Sequence, residues 1–126
     1  MTNMALKSVL AAIHLEYTSH LGQKLREMAD IAATLDTHPE QARMLRTLGR
    51  EFHTLKGSAP TFGHKELGRL AADAESSLKY HAKTKAAFGA TQRIKLQHLL
   101  IEMERAAAVS STTSPGAAPL KMLTNP

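Results

Sequence analysis

Hydrophobic residues recur at steps of three and four along most of the chain, which is the spacing of one face of an α-helix. No segment alternates as a half-buried strand does. The four stripes are Tyr17, Leu21, Leu25, Met28, Ala32 and Leu35; Leu45, Leu48, Phe52, Leu55 and Ala59; Leu67, Leu70, Ala71, Ala74 and Leu78; and Ile94, Leu96, Leu100, Met103 and Ala107. They predict an all-α, antiparallel four-helix bundle, and Leu10 and Ile13 leave room for a short extra N-terminal helix.

The breaks between the stripes coincide with residues that stop helices. Pro60 should end the second helix near Ala59, because its ring clashes with the carbonyl four residues earlier. Gly63 is a plausible left-handed stop after it. After Val109 the periodicity disappears and Ser, Thr, Pro, Gly and Ala predominate. We therefore predict a helical domain over residues 1–109 and a flexible C-terminal tail over residues 110–126.

Composition narrows the functional classes. The 126 residues contain no Cys, which rules out disulfides and thiolate metal sites and suits a reducing compartment. The apolar run from Val9 to Ile13 is too short for a secretory signal or a membrane span. No long exposed dimerisation stripe is evident. These features predict a cytoplasmic monomer without membrane attachment.

The net charge of +5 is unevenly distributed. A window from Ser76 to Ile101 has no acidic residue but contains five cations, which are Lys79, Lys83, Lys85, Arg93 and Lys95. A solvated basic face is the ordinary interpretation of such a window, and attraction of an acidic partner or of nucleic acid is the functional one.

His53 is the residue around which the candidate chemistry gathers. At about 100° per residue, it lies roughly 115° from the centre of the second stripe, at the border between core and solvent. The residues that share this border are Arg46, Gly49, Lys56, Gly57 and Pro60. Gly49 and Gly57 stand one turn before and one turn after His53, and each costs a helix about 1 kcal/mol. A crossing helix of the same bundle or the close approach of a partner would explain either glycine. We favour the crossing helix for Gly49, which stays a docking candidate, and the partner for Gly57.

Glu75 is predicted to approach His53 from the third helix, and the alternative interpretation is an ordinary surface charge. It lies roughly 80° to 100° off that helix's core stripe, so in an antiparallel pair its carboxylate can face the histidine. Accepting a hydrogen bond from Nδ1–H would leave Nε2 unprotonated and outward. The other histidines show neither an i, i+4 pair nor a zinc-type motif, and no glycine-rich phosphate loop is present. We therefore expect no metal site and no cofactor.

The run Phe52–Ala59, followed by Phe62 and Gly63, resembles the His-x-x-Lys-Gly core of the histidine-containing phosphotransfer (HPt) family. The resemblance implies that His53 carries a phosphoryl group, that Lys56 stabilises its charge and that Gly57 clears space for a docking receiver domain. It also implies that Glu75 orients His53. Two positions depart from the family pattern: Pro60 replaces a small residue that suits a helix, and His64 stands where Ala is frequent. We interpret His64 as a surface residue.

On this resemblance, the chain is a phosphocarrier and not an enzyme, relaying phosphoryl groups in a two-component phosphorelay. Its expected partners are the receiver domains of response regulators and of a hybrid histidine kinase, with Mg²⁺ carried by the receiver. The docking surface would comprise Arg46, Gly49, Arg50, Gly57 and Pro60. Arg46 and Arg50 are weaker candidates for contacting the phosphoryl group. The alternatives are a basic nucleic-acid-binding module and an adaptor bundle that docks without accepting phosphate.

Overall fold

The computed structural model describes residues 3–112, which form four long helices. These are α1 (Asn3–Ala33), α2 (Gln41–Ser58), α3 (Lys65–Thr84) and α4 (Ala90–Thr112). Two short 3-10 helices, Leu35–Thr37 and Pro60–Phe62, lie in the connections, and the described part of the chain contains no strand. The predicted antiparallel four-helix bundle is confirmed.

Each helix packs beside two others. The close pairs are α2 with α3, α3 with α4, and α1 with α4. Polar side-chain contacts also join α1 to α2: Lys24 Nζ lies 2.6 Å from Glu51 Oε2, and the hydroxyls of Tyr17 and Ser58 are 3.0 Å apart. The helices therefore enclose a single core, and α2 and α3 form one face of the bundle.

The core consists of the predicted apolar stripes. It contains Leu21, Leu25, Met28, Ala32, Leu35, Leu48, Phe52, Leu55, Ala59, Leu67, Leu70, Ala71, Ala74, Leu78, Phe88, Leu96, Leu100, Met103 and Ala107. Phe52, the residue that precedes His53, is fully buried. Truncating such a phenylalanine to alanine costs about 3–5 kcal/mol. The rotation of α2, and with it the outward direction of His53, is therefore strongly fixed.

Polar contacts fix one end of the bundle. Gln41 Nε2, at the start of α2, donates to the carbonyl oxygens of Leu35 at 3.0 Å and of Phe88 at 2.9 Å. Arg93 Nε, in the first turn of α4, lies 3.0 Å from Asp36 Oδ1. The end of α1 and the beginnings of α2 and α4 thus meet at one point, as the antiparallel arrangement requires.

The turn between α2 and α3 follows the prediction. The α-helix stops at Ser58, immediately before Pro60, and Gly63 adopts a left-handed conformation with φ of 89°. The backbone N–H of His64 donates to the carbonyl of Ala59 at 2.9 Å. This tight turn sends α3 back along α2.

Three details differ from the sequence interpretation. A separate leading helix is not present in the described residues, because α1 runs without a break from Asn3 through Gly22. Ile94 is 45 % exposed, so placing it in the core was wrong; it lies about 160° around α4 from buried Leu96. Helix α4 continues to Thr112, past the predicted boundary, and residues 113–126 of the predicted tail lie outside the described residues.

The N-terminal part of α1 carries an apolar stripe whose exposure the sequence interpretation did not predict. Leu6, Val9, Leu10 and Ile13 are 46–56 % exposed, because the face that is buried further along α1 continues into this segment without a covering helix in the described part of the chain. The statement that no long exposed stripe exists is therefore wrong for this segment. The monomeric state stays a prediction.

His64 was wrongly assigned to the surface. The left-handed Gly63 turns the chain inward, and the His64 ring is completely buried against α1. It stacks on His14 at a centroid distance of 5.7 Å, and its Nε2 lies 3.3 Å from the Thr18 hydroxyl. Burial, together with His14, lowers the pKa of His64. The spacing of His64, Leu67 and Ala71 was the signal that placed it on the core face of α3.

None of the described helices is both long and apolar enough to cross a membrane.

Candidate functional site on the α2–α3 face

His53 lies on α2 with its side chain 66 % exposed, although the residue before it is fully buried. The helical rotation of about 100° from one residue to the next produces this contrast. The ring therefore stands at the rim of the core, on the face that α2 shares with α3. This is the predicted position.

Glu75 on α3 is the centre of the polar contacts around His53. Its side chain is only 6 % exposed. The His53 Nδ1–H donates to Glu75 Oε2 at 2.7 Å, and Lys56 Nζ donates to the other carboxylate oxygen, Oε1, at 2.6 Å. Lys79 Nζ lies 3.4 Å from Oε2. One carboxylate therefore connects the histidine with cations from both helices.

The carboxyl of Glu75 is strongly biased to its ionised form. The hydrogen bond from Lys56 is the main cause, and despite the opposing effect of burial, it and the contacts from His53 and Lys79 lower the Glu75 pKa to about 2. An ionised carboxylate can only accept hydrogen bonds. His53 must then donate from Nδ1, and the neutral ring keeps its free electron pair on Nε2.

This arrangement provides a nucleophile and a cation side by side. The Nε2 atom of His53 is on the side of the ring away from Glu75, and the ring is mostly exposed. Lys56 is three residues further along α2, with its side chain 40 % exposed. An electrophile that carries negative charge could approach Nε2 from solvent and meet the Lys56 ammonium at once.

A groove of about 860 Å³ runs beside His53 between α2 and α3. Of the predicted docking residues, Arg46, Gly49 and Arg50 lie along this groove. The other lining residues are Ala42, Leu45, His53, Thr54, Glu75, Leu78, Lys79, His81 and Ala82. The lining therefore combines apolar side chains with the cations Arg46, Arg50 and Lys79, and Glu75 is its acidic residue.

The two glycines that flank His53 both face open space. A Cβ atom added to Gly49 or to Gly57 would meet no heavy atom within 4 Å. The interpretation of Gly49 as a helix crossing point is therefore wrong. Gly57 is exposed but does not line the groove. The surface of α2 is therefore unobstructed one turn before and one turn after His53, so that another molecule can approach the ring closely.

Pro60, the remaining docking candidate, is exposed, but its ring also packs within the bundle. It lies against Gly68 of α3, where an added Cβ would come within 2.6 Å of Pro60 Cγ and 2.8 Å of Cδ. Gly68 was not predicted to have this role. The sequence feature that could have predicted it is a glycine in the interior of a helix, which costs the helix about 1 kcal/mol relative to alanine. It allows the α2–α3 turn to lie close to α3.

Two of the five cations of the basic window are paired with carboxylates. Lys79 pairs with Glu75, and Arg93 pairs with Asp36. The contact between Lys79 and Glu75 was missed, although their i, i+4 spacing on one helix is the spacing at which such pairs form. The described residues hold no cluster of three or more His, Cys, Asp or Glu side chains suited to a metal ion.

Replacing Gly68 tests the packing that brings α3 against the end of α2. We expect Gly68→Ala to lower the free energy of unfolding by about 1–3 kcal/mol, because the new methyl group overlaps the Pro60 ring. Gly22→Ala is the matched control on α1, where the nearest atom is the mobile end of Arg26 at 3.4 Å. It should be neutral or stabilising by up to about 1 kcal/mol.

The double variant Pro60→Ala, Gly68→Ala removes the ring that clashes. Urea unfolding should show that it recovers part of the stability lost in Gly68→Ala. Equal losses in Gly68→Ala and Gly22→Ala, or no recovery in the double variant, would contradict the proposed contact.

A family model described as Hpt domain matches residues 19–109. Neither the curated proteins nor the solved structures gave a match. The matched range contains His53, Lys56 and Glu75, and it begins after the exposed N-terminal part of α1.

Proposed function

Because the chain belongs to the Hpt domain family, whose members are phosphocarrier modules of two-component signalling, we propose that it relays phosphoryl groups between receiver-domain aspartates through phospho-His53. One observation carries this proposal. His53 is the exposed histidine whose Nδ1 is held by a buried carboxylate, which leaves Nε2 free to react.

The transfer is a substitution at phosphorus. The Nε2 electron pair of neutral His53 forms the new N–P bond while the bond from phosphorus to the receiver's aspartyl oxygen breaks, and the aspartate leaves as a carboxylate. Nε2 needs no base, because it carries no proton at the start. The ring keeps its Nδ1 proton and gains positive charge, which the Glu75 carboxylate opposite stabilises. Transition states of this kind are loose, so positioning and charge stabilisation dominate catalysis.

Lys56 is the residue we assign to the phosphoryl oxygens. Its ammonium group already lies beside His53, through the shared contact with Glu75, and its side chain is partly exposed. Arg46 and Arg50 lie further back along α2 and line the same groove. We assign them to docking and, more weakly, to the phosphoryl charge.

The docking partner we propose is the receiver domain of a response regulator or of a hybrid histidine kinase. The cations that line the groove and the open surface at Gly49 and Gly57 support this assignment, since a receiver's aspartate sits in an acidic pocket. The receiver would bring its own Mg²⁺, and the chain contributes no cofactor. The relay would take place in the cytoplasm.

Labelling tests the acceptor directly. A receiver domain charged with radiolabelled acetyl phosphate should transfer acid-labile, base-stable label to the wild-type chain and none to His53→Gln. His81→Gln is the matched control, because His81 lines the same groove. It should still accept label.

Each other outcome has a defined meaning. Undiminished label on His53→Gln would refute the site. Receiver binding without any transfer would identify an adaptor bundle. Nucleic-acid binding that survives His53→Gln, in a chain that binds no receiver, would identify the other class of module.

Docking can be separated from chemistry at Gly57. We expect Gly57→Leu to weaken receiver binding at least about tenfold. The leucine side chain would stand in the centre of the proposed docking surface and block the close approach of the receiver. The fold should persist, since the added Cβ meets nothing within 4 Å. Ser77→Leu is the control, exposed on α3 and roughly 160° around the helix from Glu75. Titration calorimetry that shows equal affinities for the two variants would contradict this docking face.

A further inference from the structure

Lys79 has no role in the relay described so far, although it contacts the centre of the site. Its Nζ lies 3.4 Å from Glu75 Oε2, the same oxygen that accepts the His53 Nδ1–H. Lys56 occupies the other oxygen, Oε1. The two lysines come from different helices, so the carboxylate is held from the α2 side and from the α3 side.

We propose that Lys79 is a positioning residue of the relay: it holds Glu75 when Lys56 turns to the phosphoryl group, and it supplies the positive charge that balances phosphorylated His53. This inference rests on the proposed phosphotransfer through His53. It concerns a residue that the His-x-x-Lys-Gly motif does not contain.

The balance of formal charges supports the inference. Before transfer, Glu75 contributes one negative charge, Lys56 and Lys79 contribute one positive charge each, and neutral His53 contributes none. The site therefore carries one surplus positive charge. Transfer adds one net negative charge to His53, because the aspartate departs with a negative charge of its own. With Lys79 the phosphorylated site is neutral, and without Lys79 it is left negative.

The charge balance of the site is important because the Glu75 carboxylate is buried. Glu75 is 6 % exposed, and a buried carboxylate that loses its cationic partner is costly. Lys56 is attracted by the phosphoryl oxygens as soon as they arrive, which weakens its hold on Oε1. Lys79, whose side chain is 71 % exposed, is free to move the short distance from 3.4 Å into hydrogen-bond contact.

The other cations near the groove are less suited to this task. Arg46 and Arg50 belong to α2, like Lys56, and line the groove without contacting Glu75. Lys83 lies one turn beyond Lys79 on α3, about 12 Å along the helix axis from Glu75. Lys79 is thus the α3 cation that is already in place.

Three variants test the inference: Lys79→Met, Lys79→Arg and the charge-matched control Lys83→Met. Both positions are exposed, and thermal unfolding should confirm that each of the three variants folds. With a phosphorylated receiver as donor, we expect the equilibrium fraction of phospho-His53 to fall about two- to fivefold in Lys79→Met. Lys79→Arg keeps the positive charge and should show the wild-type fraction of phospho-His53. Lys83→Met should also match the wild type.

A second readout separates charge stabilisation from a merely structural role. In the phosphorylated protein, the second pKa of the phosphoryl group, followed by its ³¹P shift, should rise in Lys79→Met because a neighbouring cation is gone. It should stay unchanged in Lys83→Met. A wild-type chain that accepts no label would refute the proposed function and this inference with it. Normal labelling in which Lys79→Met and Lys83→Met behave alike would refute the role of Lys79 alone.

Discussion

The ionised carboxylate of Glu75 is the group on which the site depends. It is almost completely buried, and it stays ionised because lysines on two helices and the ring N–H of His53 surround it. Placing a charge in this position is costly unless partners compensate it. The buried carboxylate has a functional consequence that offsets this cost: it holds Nδ1 of the exposed His53 ring and leaves Nε2 free to react.

The bundle supplies the precision that this contact needs. His53 and Glu75 are brought to 2.7 Å by helices that pack through Phe52, Leu55 and Leu78. The tight turn at Pro60 adds to this, since the ring rests on the bare backbone of Gly68. A small shift of α3 along α2 would separate the carboxylate from the ring. Packing and chemistry are thus linked through one pair of helices.

Much of this architecture could be predicted from the sequence. The apolar stripes predicted the helices, because helical periodicity depends on local spacing. The same spacing placed His53 and Glu75 on the flanks of their helices, which face each other when the helices pack antiparallel. The local pair of Lys79 with Glu75 was missed, and so were several contacts between separate segments. Gly49 was assigned a crossing helix that is absent from the described residues, Gly68 was not matched with Pro60, and His64 was assigned to the surface although Gly63 turns it into the core.

The tautomer of His53 tests the central claim most directly. Long-range ¹H–¹⁵N spectra, recorded well above the ordinary histidine pKa, distinguish a ring protonated at Nδ1 from one protonated at Nε2. We predict that His53 carries its proton on Nδ1 in the wild-type chain and loses this preference in Glu75→Ala. A wild-type ring protonated at Nε2, or a preference that survives Glu75→Ala, would contradict the account.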